Sequence, residues 1–173
     1  MRKLWGTILT SILLASAVVA TTQAGQFGGK IQTAECFHFC IFIDFDLNVA
    51  DELLSRDFAW HYGFVRALVP GQDSLAGAAA IQGVKNASTA LNAGFSELGV
   101  VHEEVFSHGD LVEIRWTASG IHTGTLLGIP AHRCKVIFTG NDLFRIKNGK
   151  IAELWQETDL ADLTSQLQGS CKQ

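Results

Sequence analysis

Two side chains have the types and placement for acid–base work: His122 and Asp159. His122 closes a strand-like run through Trp116 and lies in Gly120-Ile-His122-Thr-Gly124, while Asp159 follows the run Lys150-Ile-Ala-Glu153-Leu-Trp155-Gln-Glu-Thr158. A histidine and a carboxylate at strand ends among aromatic residues are the parts of an acid–base pocket. A carboxylate held against tryptophan loses hydration, so its proton affinity rises toward the range useful for proton transfer. A base so placed contributes on the order of 100- to 10,000-fold to rate. Both residues also have structural readings. Asp159 would serve as the N-cap of a terminal helix over 160–167, and His122 as a strand-end histidine between glycines.

Strand parity gathers further residues around this pair. Val112, Ile114, Trp116, Ala118, Gly120 and His122 share one face, with Glu113, Arg115, Thr117 and Ser119 on the other. On the next strand Val136, Phe138, Gly140, Asp142 and Phe144 fall together, and on the last Ile151, Glu153, Trp155, Glu157 and Asp159. The expected site has Asp159 and His122 as catalytic groups, with Trp116, Phe138, Asp142 and Trp155 lining the substrate. It involves no metal. For Asp142 a turn or ion-pair role weighs more than catalysis. Glu153 is expected to pair with Arg145 across a hairpin, and His38, inside an apolar run, reads as a core histidine. His108 and His132 read as loop residues.

These residues need elements to hold them. The apolar run Ala34-Glu-Cys36-Phe-His38-Phe-Cys40-Ile-Phe-Ile43 is read as a helix over 31–43 buried on most sides, with a strand as the alternative that composition leaves open. A short helix over 49–54 leads to the aromatic strand Phe58-Ala-Trp60-His61-Tyr62, which ends at Gly63, and Pro70-Gly71 and Gly77 mark a loop. Ile81, Val84, Leu91, Phe95 and Leu98 form one stripe of a helix over 78–98, with Lys85, Asn86 and Asn92 toward water. Asn86-Ala-Ser88 is a glycosylation sequon on that polar side. Alternation then predicts strands through 101–105, 111–118, 134–146 and 150–158, turned at His108-Gly109-Asp110 and Asn148-Gly149. Helices first and a meander of strands after make an α+β domain, helices packed on one face of a curved antiparallel sheet.

Arg2 and Lys3 precede an apolar run from Ile8 to Ala20, with Thr22-Gln23-Ala24 as a small-residue cleavage site. Residues 1–24 are thus expected to be a signal peptide, residues 25–34 a flexible lead-in, 35–168 one domain and 169–173 a tail. The location implied is secreted or periplasmic, with no stable membrane anchor after processing. Removing 24 of the 173 residues takes the formal charge from −4 to −6. A mildly acidic domain without a basic cluster argues against nucleic acid as a partner. Cys36, Cys40, Cys134 and Cys171 permit two disulfides. Cys36 and Cys40, one helical turn apart, are expected to reach other elements rather than each other, with free thiols the alternative.

Asp57-Phe-Ala-Trp-His61, Phe95-Ser-Glu-Leu98, Gly109-Asp110, Gly120-Ile-His122-Thr-Gly124, Leu127-Gly-Ile-Pro130 and Gly149-Lys-Ile-Ala-Glu-Leu-Trp155, followed by Asp159 and Gln166-Leu167, have an order and spacing that resembles the SnoaL-like polyketide cyclases. These belong to the nuclear transport factor 2-like superfamily. Pro130-Ala-His132-Arg133 stands where the family pattern has Pro-x-Thr-Gly. The resemblance implies a cone-shaped α+β barrel, a strongly bent antiparallel sheet around a long helix, often as a homodimer. It also implies acid–base chemistry without a cofactor on a small hydrophobic carbonyl compound: enolisation, then intramolecular aldol closure or isomerisation. By motif position Asp159 is the base, with His122 and His61 on the substrate oxygen. The alternative is a secreted binding protein that holds a small hydrophobic ligand in the same cone. A hydrolase with an Asp–Arg–Asp relay ranks third, since Arg115 has the opposite parity to the pocket.

Overall fold

Residues 28–169 are described by a computed structural model, so the expected signal peptide lies outside the described residues. Lys30–Cys36 forms α1 and runs on into a π-helical segment, Phe37–Ile43. α1 thus takes up part of the expected lead-in. Ala34, Cys36, Phe37, His38, Ile41 and Phe42 are all buried, as the unbroken apolar composition requires. Cys36 and Cys40 are joined to each other, with their Cα atoms 4.9 Å apart. That corrects the expected pairing with other elements: a helical step of four places both on one side of the segment, within bonding reach. No described cysteine is free.

The remaining elements are α2 (Val49–Leu53), β1 (Leu54–Tyr62), α3 (Gly63–Leu68), β2 (Ser74–Ala76), α4 (Gly77–Gly94), β3 (Phe95–His108), β4 (Leu111–His122), β5 (Lys135–Lys147), β6 (Lys150–Thr158) and α5 (Leu160–Gln168). β2 lies within the expected loop. α4 stops short of Leu98 because the sheet captures the chain there. Phe95 pairs with His122, and the Gly94 carbonyl accepts the N–H groups of Thr123 and Gly124 at 2.9 Å. The polar side of α4 is also less solvated than its composition suggests. Ser88, fully buried, donates to the Ile41 carbonyl at 2.6 Å, and Asn92 donates to that of Phe42 at 2.8 Å. These two side chains satisfy carbonyls at the end of the π-helical segment, which no intrahelical N–H can reach. Asn86 of the sequon is exposed, whereas Ser88 is not.

The six strands form one curved sheet in the order β2-β1-β6-β5-β4-β3, open between its two edges. It wraps the buried face of α4, which carries Val84, Ala87 and Leu91. This is the expected α+β arrangement of a curved sheet around a long helix, except that the sheet is not closed into a barrel and β1 runs parallel to β6. The long sequence separation of β1 and β6 frees their direction from hairpin geometry.

β4 and β5 follow simple alternation, with Val112, Ile114, Trp116 and Ala118 and then Val136, Phe138, Asp142 and Phe144 buried. β6 does not. Arg145 pairs with Glu153 but Ile146 with Ile151, so Ala152 is an extra residue. Such a bulge switches the faces on either side of it. Beyond it Leu154 and Gln156 point inward, and Glu153 and Trp155 outward. Among the described residues no helix is long and apolar enough to cross a membrane.

Candidate functional site

The concave face of the sheet, α4 and the π-helical segment enclose a cavity of about 40 Å³. At about 10–15 Å³ per water, it holds about three waters. Phe42, Leu91, Trp116 and Phe138 supply apolar wall, and His38 and Gln156 the polar groups. Asp142 lies behind these two, fully buried on β5 between Ile114 of β4 and Gln156 of β6.

These polar groups form one chain. His38 Nε2 is 2.9 Å from Asp142 Oδ2, and Gln156 Nε2 donates to the same oxygen at 3.2 Å. His38 Nδ1 is 2.9 Å from His102 Nε2, and His102 Nδ1 is 3.8 Å from a carboxylate oxygen of Glu35. Asp142 Oδ1 has no hydrogen bond and neither does the Trp116 indole N–H, both buried. Burial and then the neighbouring His38 push the His102 pKa down to about 4, with the Asp142 carboxylate opposing weakly. The tautomers follow from the acceptor at the inner end: the Asp142 carboxylate accepts from His38 Nε2–H, and in that tautomer His38 Nδ1 accepts from His102 Nε2–H.

Local backbone geometry seats this group. Gln156 Oε1 accepts the Phe64 N–H at 3.3 Å, which aims its amide at Asp142. Gly63 makes room for it: a Cβ there, at φ +44°, would lie 2.6 Å from Gln156 Cγ. The π-helical segment, closed by the Cys36–Cys40 bond, turns His38 inward while Phe39 is exposed. Among the described residues, no group of three or more His, Cys, Asp or Glu side chains converges as metal ligands would.

The residues singled out from sequence fall in four places. Trp116 and Phe138 line the cavity, and Asp142 backs it. His122 is fully buried at the far end of β4, its ring 5.9 Å from Phe95 and 4.7 Å from His132. Burial and then His132 lower its pKa, and backbone groups of Gly124 and Ile129 oppose. Asp159 is exposed, lines a separate surface recess with Arg115 and Asn141, and caps α5 by accepting the Asp162 N–H at 2.9 Å. His61 and Trp155 stack with ring centroids 5.5 Å apart on the outer face, where His61 Nε2 meets Glu153 Oε1 at 3.1 Å. The structure therefore does not bring Asp159, His122, His61 and Trp155 to one cavity. For Trp155 the cause is the bulge at Ala152. Glu153 does pair with Arg145, at 3.3 Å.

The sequence model of the SnoaL-like polyketide cyclases matches residues 44–167, well over half of the chain. The chain belongs to this family. Comparison with curated protein sequences gives no match. Among solved structures, TsrD from Streptomyces laurentii is 24% identical with a TM-score of 0.65, covering 80% of this chain and 95% of its own. IdmH from Streptomyces antibioticus, a proposed polyketide cyclase, is 23% identical with a TM-score of 0.66, covering 80% and 97%. AclR from Streptomyces galilaeus, a proposed hydroxylase, is 16% identical with a TM-score of 0.64, covering 80% of each chain. At these identities the likeness is one of fold. Within this SnoaL-like fold, sequence reasoning passed over His38 as core, and over His102 and Gln156 altogether. The signal for Gln156 was its parity with Leu154, hidden by the bulge. For His102 it was its parity with Val100, obscured by a second register break near Glu103.

Proposed function

We propose that the protein is an acid–base enzyme, acting without a cofactor on a small hydrophobic carbonyl compound, with Asp142 and His38 as its reacting pair. One observation carries this reading: a fully buried carboxylate whose Oδ2 accepts two hydrogen bonds while Oδ1 accepts none, coupled to a histidine in a cavity wall. Asp142 Oδ1 takes the proton alpha to the carbonyl, and the C–H electron pair moves into the enolate. The unpaired Trp116 N–H lies in the same wall and donates to the enolate oxygen. The enolate carbon then attacks a second carbonyl of the same molecule, and the new alkoxide recovers the proton from Asp142. Because the cavity is small, the substrate parts the Gln156 and Trp116 side chains to reach Oδ1. Catalytic contacts commonly tighten only in the substrate complex.

A second reading, a binding protein without catalysis, is favoured by the largely apolar wall. One experiment separates the two. The protein is incubated in heavy water with a panel of enolisable aromatic keto-esters, and alpha-carbon deuteration is followed by NMR. Asp142→Asn and Asp159→Asn are run beside it. Deuteration abolished by Asp142→Asn and retained by Asp159→Asn supports the acid–base reading. The reverse pattern moves the base to Asp159, and ligand shifts without any deuteration support the binding protein.

Export is part of the same proposal. The charged and apolar pattern of residues 1–24 supports it, as does the Cys36–Cys40 disulfide, a bond that persists in oxidising compartments. The mass of the protein recovered from its native host tests it: an intact Met1 in the cell interior removes this part.

A further inference from the structure

We infer that His102 and Glu35 form a proton path between Asp142 and solvent, through which the buried carboxylate exchanges its proton with water. This rests on the reading of Asp142 and His38 as the reacting pair, and adds two positioning residues to it.

The geometry is continuous from His102 to Asp142 and has one short gap, at its solvent end. Glu35, on α1, has a side chain about a third exposed, and its Oε1 is 3.8 Å from His102 Nδ1, so that a protonated Glu35 moving closer by about 1 Å donates to that nitrogen. His102 reaches His38, and His38 reaches Asp142, each at 2.9 Å. The His102 side chain is 7% exposed and that of Asp142 0%, so water does not serve the inner members directly. A proton arriving from Glu35 at His102 Nδ1 releases the Nε2 proton of His102 to His38 Nδ1. His38 then passes its own Nε2 proton to Asp142 Oδ2. Each ring takes one proton and gives one, and the reverse order returns the proton to Glu35.

The charged and titratable groups facing His102 are Glu35 from α1, His38 from the π-helical segment and Asp142 from β5. Phe39 and Trp116, its other neighbours, carry no charge. Arg115 is turned away and paired with Glu104 at 3.2 Å on the exposed side. The low proton affinity of His102 keeps that ring neutral near neutral pH, the form able to pass a proton rather than hold one. A purely structural histidine pair would not need a carboxylate at its solvent end.

The test needs no substrate. In protein labelled with ¹⁵N-histidine, the nitrogen shifts report the tautomers, and saturation transfer reports exchange of the His38 Nε2 proton with water. Both rings should be Nε2–H tautomers at neutral pH, and an Nδ1–H or charged ring at either position overturns the path. Glu35→Gln should slow the exchange about 100-fold, the low end of what loss of a positioned proton carrier costs. Glu35→Asp should restore part of it, and Glu104→Gln on the same strand as His102 should leave it unchanged. Unaltered exchange in Glu35→Gln, or equal slowing in Glu104→Gln, overturns the path. If the path is found but no keto-ester is deuterated, the catalytic reading fails and this one stands. If deuteration depends on Asp142 and exchange ignores Glu35, the reverse holds.

Discussion

The indole of Trp116 lies directly over Gly140: a Cβ added at Gly140 would sit 2.2 Å from Cζ2 and 2.6 Å from Cε2 of that ring. The two residues face each other across β4 and β5, and the missing side chain on one lets the other lie flat against the sheet as cavity wall. Gly140→Ala should therefore act through Trp116. The added methyl also meets the Glu157 carbonyl at 2.5 Å, so the strand cannot yield instead. Overpacking of this kind costs about 1–3 kcal/mol. Urea unfolding should show that loss, and tryptophan fluorescence should shift as the indole is displaced. An unchanged spectrum would mean that the ring does not occupy this position.

Asp159→Ala should lose the cap of α5 and with it about 1 kcal/mol, whereas Asp159→Asn, which caps as well, should be nearly silent in stability. Neither should change alpha-proton exchange. Thermal unfolding of the two variants beside wild type checks the first part. Equal destabilisation by both would indicate that the carboxylate charge matters beyond the hydrogen bond to Asp162.

Stability should fall as pH drops from about 6.5 toward about 4, and His102 should account for part of the loss. Its folded-state pKa is depressed from 6.5 to about 4, so in this window the unfolded chain binds a proton that the native one refuses. Above 6.5 both forms are neutral and the effect vanishes; below about 4 both are charged and the loss levels off. The full difference corresponds to about 3 kcal/mol, which solvent screening of the partly accessible ring reduces to on the order of 2 kcal/mol. His122, lowered chiefly by burial, acts in the same direction. His102→Gln should flatten the acid limb in denaturant titrations at stepped pH. A limb of unchanged slope would remove His102 from the account.

Replacing Cys36 and Cys40 by serine should destabilise the protein by about 2 kcal/mol in the chain-entropy account of so short a loop. The larger effect should be local. The disulfide closes the segment that carries His38, so the ¹⁵N signals of His38 should broaden in the double variant while those of His61 on the outer face do not. Equal broadening of both would point to general loosening rather than to a clamp on His38.

β4 and β5 could be read from residue order because their alternation is unbroken, and so Trp116, Phe138 and Asp142 were placed on one inner face from sequence alone. The burial of the apolar run over 31–43 was legible for a similar reason, since a run without polar relief has to be buried; that it is helical was one of two readings the composition left open. Composition likewise settled the α+β class, since periods of 3.6 and 2 are local properties of the chain. Tertiary structure decided the rest. One extra residue at Ala152 reversed the faces of β6, which sent Trp155 outward and Gln156 inward, and a bulge is set by pairing with a neighbouring strand. His38 and Asp142 are 104 positions apart, and no local pattern says that an apolar helix and the middle of a strand will meet. Burial gave His38 the look of a core residue; its partners, brought together only by the folded sheet, make it part of a site.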